Sequence, residues 1–254
     1  MIQIKNQDQI AAMKEAGRIT GEALLVAREL VREGVSTYEL DKRIREHIER
    51  SGAKPSFLGY HGFPGSACIS INDEVIHGIP SKQRILKEGD IVKIDVGAFY
   101  RGFHGDSART IPVGRVSDEA SRLIEATEKS FWAGIAKAQS GNRIGDVGND
   151  IEECIREYGY HVVKRYIGHG VGHNLHEAPD VPNFGTAGRG VRLCNGMTLA
   201  VEPMVNAGKA GVKVMPDGWT VKTADGKLSA HYENTFLITD SDPEILTVCD
   251  TDAE

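Results

Sequence analysis

Apolar residues near the start of the chain recur at the spacing of an α-helix face. Over residues 7–33 the recurring apolar or small positions, three or four residues apart, are Ile10, Met13, Gly17, Thr20, Leu24, Ala27 and Val31. This period predicts one long amphipathic helix. The Asn6 side chain is suited to cap the helix N-terminus, and Gly34 is suited to end the helix.

A second helix is predicted directly after the first. Ser36-x-x-Glu39 has the spacing of a capping box, in which each side chain accepts a hydrogen bond from the other residue's backbone amide. Gly52 is placed to end this helix. The apolar positions that share one face between these signals are Leu40, Ile44 and Ile48.

The same helix–helix pattern returns in the second half of the chain. Residues 117–139 predict a helix, and a further helix follows Gly141. A shift of 107 positions carries Gly34, Leu40, Ile44, Ile48 and Gly52 onto Gly141, Val147, Ile151, Ile155 and Gly159. We interpret this as an internal duplication, with pseudo-repeats at about 7–114 and 115–240 in a single domain spanning 1–254. Chance agreement between such permissive residue types is the alternative.

A predicted β-hairpin carries two aspartates near its turn. Residues 91–96 alternate between an apolar face and a less apolar face, as in a half-buried strand. A turn centred between Tyr100 and Arg101 would place Asp95 directly opposite Asp106, with Cβ atoms about 5 Å apart. Because like charges in that position destabilise a sheet, a positive charge is expected between them. Alternatively, both aspartates are solvated residues flanking a turn.

The second half contributes two glutamates from strand-like segments. The 107-residue shift carries Asp95 onto Glu202, and an insertion of about twenty residues near Trp219 would carry Asp106 onto Glu233. Four carboxylates at one centre cannot all ionise without compensation, and two divalent cations would supply it. His169, flanked by glycines, is the candidate nitrogen ligand, although a single loop histidine is more often held by ordinary hydrogen bonds.

Composition narrows the function classes. The chain has 254 residues and a net charge of −6, which argues against DNA binding over an extended surface. No apolar run approaches the ~20 residues of a membrane span, and the N-terminus lacks a signal-peptide layout, so a cytoplasmic protein is predicted. The four cysteines form no Cys-x-x-Cys pair and predict neither disulfides nor a zinc knuckle: Cys68, Cys154, Cys194 and Cys249.

The motifs together resemble one family. Gly168-His169-Gly-Val-Gly, His176-Glu-x-Pro179, Val-Glu202-Pro-Met, Glu233-x-Thr and the two spaced aspartates closely resemble the type I methionine aminopeptidases over essentially the whole chain. The resemblance implies the pita-bread fold of the α/β (α+β) class. In that fold two pseudo-twofold-related halves share a central antiparallel sheet, which helices cover on one face.

The resemblance also implies a ligand set and an activity. The metal ligands would be Asp95, Asp106, His169, Glu202 and Glu233, holding two divalent transition-metal ions such as Co, Mn, Fe, Zn or Ni. Asp95 would bind one metal, Asp106 and Glu233 would bridge both, and His169 with Glu202 would complete the other. In the family, a metal-activated water attacks the peptide carbonyl and Glu202 shuttles a proton. The reaction removes the initiator methionine before a small second residue.

Further positions match the family's substrate-binding residues. The resemblance implies that His176 binds the scissile carbonyl oxygen, that His77 contacts the amide-nitrogen side, and that four residues line the methionine pocket: Tyr60, Phe63, Cys68 and Trp219. Ordinary core aromatics are the alternative for Tyr60 and Phe63, and Cys68 is expected to be an apolar wall. Three positions depart from the commoner bacterial pattern and leave fine specificity open: Phe57, His173 and Leu175.

Other expectations concern an accessory ion and the partners. Asn72 and Ser229 resemble a structural monovalent-cation site of the family, with a plain loop hydrogen bond as the alternative. The expected partners are nascent polypeptide N-termini and, transiently, the ribosome, with a monomeric enzyme. Four lysines form a weak basic cluster that is equally read as a solvated loop face: Lys209, Lys213, Lys222 and Lys227. The alternatives are a proline-directed aminopeptidase of the same fold and a pita-bread binding module without metals.

Overall fold

The computed structural model describes residues 2–248. Its helices are α1 (Gln7–Leu30), α2 (Thr37–Arg50), α3 (Asp118–Ile135) and α4 (Ile144–Glu157), with a single-turn 3-10 helix at Tyr60–Gly62. Its strands are β1 (Lys54–Pro55), β2 (Ala67–Ile71), β3 (Glu74–Ile76), β4 (Ile91–Tyr100), β5 (Phe103–Pro112), β6 (His161–Val162), β7 (Gly168–Gly170), β8 (Glu177–Val181), β9 (Thr198–Val201), β10 (Met204–Asn206), β11 (Val212–Val214), β12 (Val221–Thr223), β13 (Ser229–His231), β14 (Glu233–Leu237) and β15 (Glu244–Ile245).

The predicted helices of the first half form, with small differences at their ends. Asn6 and Gln9 exchange side-chain and backbone hydrogen bonds in a capping box that starts α1. The helix ends at Leu30, three residues before the predicted end. Ser36 accepts a hydrogen bond from the Glu39 amide at the start of α2, which is one half of the predicted capping box. Side-chain caps therefore set both starts.

The central sheet is antiparallel and is built from strands of both halves. Its order is β1-β4-β5-β14-β9-β7-β8, with β2 paired to β4 and β15 paired to β14. Two small sheets, β13-β10-β6 and β11-β12-β3, flank it. The contact between β5 and β14 joins the two halves at the middle of the sheet.

Both helix pairs pack on the same face of this sheet. Val96 lies in the core with α1 and α2, and it pairs with Ser107, which pairs with Asn234. Asn234 pairs in turn with Val201, which lies in the core with α3 and α4. Because paired residues on neighbouring strands share a face, one helical layer covers one side of the sheet and leaves the other side for the carboxylates. Two related halves, one shared antiparallel sheet and helices on one face are the features expected of the predicted pita-bread arrangement.

The hairpin register differs from the prediction by two residues. Tyr100 pairs with Phe103, so Arg101 and Gly102 form a two-residue turn, with φ of 47° and 88°. Positive φ at both central positions is typical of a type I′ turn, whose twist matches that of the strands. The prediction that Asp95 lies directly opposite Asp106 is therefore wrong. The two are diagonal neighbours, and a shift of two residues keeps both on one face.

The element bounds repeat at the spacing read from the sequence. The bounds of α4 lie 107 positions after those of α2, and β6 lies 107 positions after β1. The pairing repeats as well, since Lys54 pairs with Phe99 and His161 pairs with Asn206. This agreement supports the proposal that the halves arose by duplication.

The residue of the second half that corresponds to Asp106 is not the one predicted. Asp106 pairs with Gly97 across the first hairpin. The residue 107 positions after Gly97 is Met204, which pairs with His231. His231, rather than Glu233, therefore occupies the strand position that corresponds to Asp106. The prediction that Asp106 corresponds to Glu233 is wrong because it took the length of the insertion between the strands from residue type and not from the strand register.

Two negative predictions from composition can be compared with the structure. Among the described residues, no helix combines the length and apolar character that crossing a membrane requires. Cys68, Cys154 and Cys194 are free thiols, as predicted, and Cys249 lies outside the described residues.

The sheet core gives a stability prediction. Ile94 lies on β4 and is fully buried against the first helix pair. Ile94→Ala should therefore lower the free energy of unfolding by about 3 kcal/mol, because apolar burial is lost and a cavity is left. Ile85→Ala, at a position that is 41% exposed, is the matched control and should change it by less than about 1 kcal/mol. Urea unfolding of both metal-free variants measures this, and equal losses would contradict it.

Candidate active site

A cavity of about 240 Å³ opens on the sheet face opposite the helices. Every residue predicted to bind the divalent metals or the substrate lines it: Tyr60, Phe63, Cys68, His77, Asp95, Asp106, His169, His176, Glu202, Trp219 and Glu233. Three further residues complete the wall: Phe57, His61 and Leu175. The structure thus brings together residues that are up to 176 positions apart in sequence.

Neighbouring strands bring the acidic residues together. Asp95 lies on β4, Asp106 on β5 and Glu233 at the start of β14, which are consecutive strands of the sheet. Glu202 directly follows β9, and His169 lies on β7, the next strand beyond. Because the spacing between paired strands is about 5 Å, side chains on one face of adjacent strands meet without any long loop.

The donor atoms are close enough to share a cation. His169 Nε2 lies 3.7 Å from Asp106 Oδ2 and 3.5 Å from Glu202 Oε1. One ligand atom from each of Asp106, His169 and Glu233 falls within a cluster in which no two are more than 4.8 Å apart. Such a set of buried oxygens and one imidazole nitrogen is the donor chemistry of a divalent transition-metal site.

The carboxylates are poorly stabilised as anions by the protein itself. Asp95 Oδ1 and Asp106 Oδ1 are buried and have no hydrogen-bond partner. Burial raises the pKa of Asp95 to about 7, and an Asp106 hydrogen bond opposes this. Burial and neighbouring carboxylates hold the pKa values of Asp106, Glu202 and Glu233 well above their usual range. Cations would remove this penalty, so the residues fit a metal centre.

His169 is held in the form that binds metals. Its Nδ1 lies 2.9 Å from the Gly170 carbonyl, so Nδ1–H donates there and the Nε2 lone pair faces the carboxylates. Burial lowers the pKa of His169 to about 3, which keeps the ring neutral. A Cβ on Gly168 would come within 2.3 Å of the Ala200 carbonyl oxygen. Glycine is therefore needed for the close strand packing beside this histidine.

His176 stands at the cavity wall with a defined partner. Tyr60 Oη lies 2.8 Å from His176 Nδ1, and the two rings stack at 5.3 Å. The His176 ring also packs against that of His169 at 4.0 Å. Desolvation at the wall, followed by the charge of His61, lowers the pKa of His176. The neutral ring leaves Nε2 free to act on a ligand in the cavity.

His77 is fixed by an unusual backbone. Its φ is 59°, a left-handed conformation that places the side chain beyond the end of β3. A Cβ on the following Gly78 would lie 2.2 Å from the Ile69 carbonyl oxygen, so this approach requires glycine. The His77 ring meets Trp219 edge-on at 6.4 Å, and burial lowers the pKa of His77 to about 4.

The remaining wall is apolar. Phe57, Phe63, Cys68 and Leu175 form one buried cluster with Trp219 packed against it, and the Phe63 and Trp219 rings meet edge-on at 5.1 Å. Burial holds the pKa of the Cys68 thiol well above its usual range, in keeping with an apolar wall. Of the three residues that depart from the commoner bacterial pattern, Phe57 and Leu175 lie in this wall. The exposed His173 instead contacts the hairpin turn through its Nδ1, 2.8 Å from the Gly102 carbonyl.

Two histidines at this site were missed from the sequence. His231 is 1% exposed, and its Nε2 lies 3.9 Å from both Glu202 Oε2 and Glu233 Oε2. His61 lines the cavity and meets Tyr60 edge-on at 4.4 Å. His231 could have been found from its place two residues before Glu233, because residues two apart in an extended chain share a face. His61 carries no such signal.

The expected monovalent-cation site does not fit. The Asn72 carbonyl accepts hydrogen bonds from Lys93 Nζ at 2.8 Å and from the Ser229 amide at 3.1 Å. Ser229 Oγ bonds Val205 O and Asn206 Oδ1 instead of facing an ion. Both lone pairs of the Asn72 carbonyl are used, so this oxygen is not available to an ion.

Comparison with known proteins places this site in a family. The sequence model of metallopeptidase family M24 matches residues 11–240. A methionine aminopeptidase of Clostridium perfringens is 53% identical over 248 residues, covering 98% of this chain and 99% of that protein. The crystal structure of a Thermotoga maritima methionine aminopeptidase has a TM-score of 0.96 at 43% identity, covering 97% and 99%. A Pyrococcus horikoshii prolidase has a TM-score of 0.79 at 25% identity, covering 97% of this chain and 64% of its own.

The raised carboxylate pKa values predict proton release on metal binding. At pH 6 a group with a pKa near 7, such as Asp95, holds its proton in the metal-free protein, whereas a metal binds the ionised form. Adding Mn²⁺ should therefore release protons, and the affinity should rise as the pH rises from 5 to 7. Calorimetry at pH 6 in two buffers of different ionisation enthalpy measures the release. Identical apparent enthalpies, after allowance for metal–buffer complexes, would contradict the prediction.

Proposed function

This chain belongs to metallopeptidase family M24, and on that premise we propose that it removes the N-terminal methionine from newly made proteins whose second residue is small. One observation carries the proposal. The buried cluster of carboxylates with His169 opens directly into an apolar, aromatic cavity of a size suited to a single side chain. A hydrolytic centre and a pocket for one residue are thereby joined.

The centre is proposed to be dinuclear. Asp95 would bind one metal, Asp106 and Glu233 would bridge, and His169 with Glu202 would complete the second. The four carboxylates, whose anionic forms the protein leaves poorly stabilised, match the charge of two divalent ions. Two such ions would supply a Lewis acid and a water of lowered pKa for peptide hydrolysis.

Protein groups would handle the proton and the developing negative charge. Glu202, at the edge of the cluster with 13% of its side chain exposed, would accept a proton from the attacking water and pass it to the leaving amine. His176 would donate a hydrogen bond from Nε2–H to the scissile carbonyl oxygen. The Tyr60 hydroxyl, whose pKa is raised by burial, stays protonated and would donate to Nδ1. That bond selects the tautomer with the proton on Nε2.

The cavity would select the substrate. The rings of Phe63 and Trp219 offer aromatic edges and faces, which make favourable contacts with the sulfur of methionine. Phe57 and Leu175 are buried in the same apolar cluster and would help to set the shape of the pocket. The free amine of the substrate would lie near Asp95, which restricts the enzyme to the first residue of a chain. His77 would contact the nitrogen of the scissile amide.

The setting of the reaction is proposed from the substrate. Nascent chains are made in the cytoplasm, so a cytoplasmic monomer with transient ribosome contact is the proposed form. The lysine cluster gives little support for a ribosome-binding surface, because Lys222 is paired with Asp73 at 3.2 Å. That ion pair does not involve the other three lysines of the cluster: Lys209, Lys213 and Lys227.

A proline-directed peptidase of the same fold is the second candidate. The prolidase similarity favours a shared fold and metal chemistry, but the identity to methionine aminopeptidases is higher and extends over their full length. The match also covers only 64% of the prolidase chain. A binding module that has lost its metals is disfavoured by the presence of all five ligands.

One assay distinguishes these functions. After chelation, the protein is incubated with Mn²⁺, Co²⁺, Fe²⁺ or Zn²⁺ and with Met-Ala-Ser, Met-Leu-Ser or an Xaa-Pro peptide. We expect the metal-loaded protein to release methionine from Met-Ala-Ser and to release little from Met-Leu-Ser. The chelated protein should release no methionine until metal is added back. No methionine release with any metal would overturn the proposal, and preferential cleavage of Xaa-Pro would support the second candidate.

The oxyanion role of His176 can be tested directly. His176→Ala should lower kcat at least about tenfold while leaving metal affinity within about twofold, because the ring contacts substrate rather than metal. Tyr60→Phe should lower kcat by a smaller factor, since the ring remains but its tautomer is no longer selected. Steady-state kinetics and metal titration measure both. An unchanged kcat for His176→Ala would show that its role is misassigned.

The bridging role of Asp106 predicts a double effect. Asp106→Asn should weaken both metal-binding steps, because the neutral amide removes a charge shared by the two ions. Asp95→Asn is the matched control and should weaken one step more than the other. Metal stoichiometry by titration after gel filtration distinguishes the variants. Loss of only one ion in Asp106→Asn would assign Asp106 to a single metal.

A further inference from the structure

Lys93 is one of the largest side chains that are fully buried in the described part of the chain. It is 1% exposed and lies on β4, two residues before Asp95 and therefore on the same face. Burial of a lysine is costly unless its amine has partners. Its Nζ donates a hydrogen bond of 2.8 Å to the Asn72 carbonyl oxygen. The residue takes part in no step of the proposed reaction.

The Asn72 carbonyl is held firmly in front of this amine. Asn72 has a left-handed backbone, with φ of 51°, at the turn between β2 and β3. Its amide donates to the Ile91 carbonyl at 2.9 Å, and its side-chain oxygen accepts from the Ile91 amide at 3.0 Å. These bonds fix the peptide to the start of β4 and aim its carbonyl inward.

Three segments of the site meet at this carbonyl. Lys93 lies on the strand that carries Asp95, and the Asn72 turn leads through β3 to His77. Ser229, whose amide also donates to Asn72 O, begins the strand that ends at His231, close to Glu233. The amine of Lys93 therefore links the backbone of a substrate-binding segment to the backbone of a metal-binding strand.

The charges around the amine oppose one another. Burial lowers the pKa of Lys93 to about 7, while the carboxylates of Glu74 and Asp73 raise it and Arg84 lowers it. In either protonation state the amine donates to Asn72 O. The geometry of the link thus holds whether or not the group carries a full charge.

We propose that Lys93 replaces the monovalent cation expected between Asn72 and Ser229. A metal ion would join these segments by binding their oxygens, whereas here a covalently attached amine occupies the Asn72 carbonyl. Lys93 is on this view a positioning residue, and the protein needs neither Na⁺ nor K⁺ for stability or turnover. The proposal stands apart from the methionine specificity, because its main readout is the stability of the folded chain.

The first experiment measures thermal unfolding with monovalent salts. Wild-type protein, Lys93→Ser and Lys93→Met are compared in choline chloride, NaCl and KCl at equal ionic strength. Lys93→Ser opens a polar space that a cation can enter, whereas Lys93→Met fills the space with an apolar chain. A ligand that binds only the folded state raises Tm, so Lys93→Ser should gain at least about 2 °C in NaCl or KCl over choline. Wild-type protein and Lys93→Met should gain less than about 1 °C.

The second experiment measures turnover of Met-Ala-Ser under the same salts. Lys93→Ser should lose at least about tenfold in kcat in choline chloride and recover at least about threefold with Na⁺ or K⁺, an effect of positioning on a step sensitive to small displacements. Lys93→Met should lose kcat without recovery. The exposed Lys213, changed to Ser, is the control for general salt effects and should behave as wild type.

Each outcome decides the proposal. A wild-type Tm or kcat that rises with Na⁺ or K⁺ over choline would overturn it, because the site would then still take an ion. Lys93→Ser with wild-type Tm and kcat in choline would also overturn it. A destabilised Lys93→Ser that no alkali cation rescues would assign Lys93 to packing alone. If wild-type protein releases no methionine while the Tm pattern holds, the proposed function fails and this inference survives.

Discussion

The repulsion and desolvation of four carboxylates on one buried sheet face govern the organisation of this protein. Asp95, Asp106, Glu202 and Glu233 all have pKa values raised by burial, and buried oxygen atoms of the two aspartates lack hydrogen-bond partners. A protein optimised for stability alone would hydrogen-bond or replace such groups. Their presence is explained by the divalent ions that the site would bind. The helices lie on the opposite face, where they complete a conventional apolar core and leave the charged face open to ligands.

The histidines complement these acids by remaining neutral. Burial lowers the pKa values of His77, His169 and His231 to between about 3 and 4, so none adds positive charge that would compete with metal ions. His169 and His176 also have one ring nitrogen engaged, by a carbonyl and by a tyrosine hydroxyl respectively. Each therefore presents the other nitrogen to the cavity. Neutral rings with a fixed tautomer can serve as a metal ligand in one case and a hydrogen-bond donor in the other.

Much of this arrangement follows from local sequence, and the failures have physical causes. Helix periodicity and side-chain caps located α1 and α2 to within a few residues, and the motif residues all reached one cavity. The hairpin register was misjudged because Arg101 adopts positive φ, which is uncommon for a non-glycine residue. His231 was missed because its signal, a place two residues before Glu233, holds only where the chain is extended, and the sequence does not mark His231 itself as a site residue. The occupied Asn72 carbonyl could not be foreseen either, since Lys93 reaches it only once β4 lies against the β2–β3 turn.

The two-residue turn at Arg101 and Gly102 also constrains how this protein can change over evolutionary time. Deletions or insertions that slide β5 by one residue would turn Asp106 toward the helices and put Gly105 or Ser107 in its place at the cavity, so that a carboxylate would be lost from the site. A slide of two would keep the acid on its own side of the sheet. Lineages carrying this fold should thus tolerate register shifts of two residues in the hairpin far more often than shifts of one residue. Because side chains alternate between the two faces of a strand, selection should retain length changes near this turn only when they shift the register by an even number of residues.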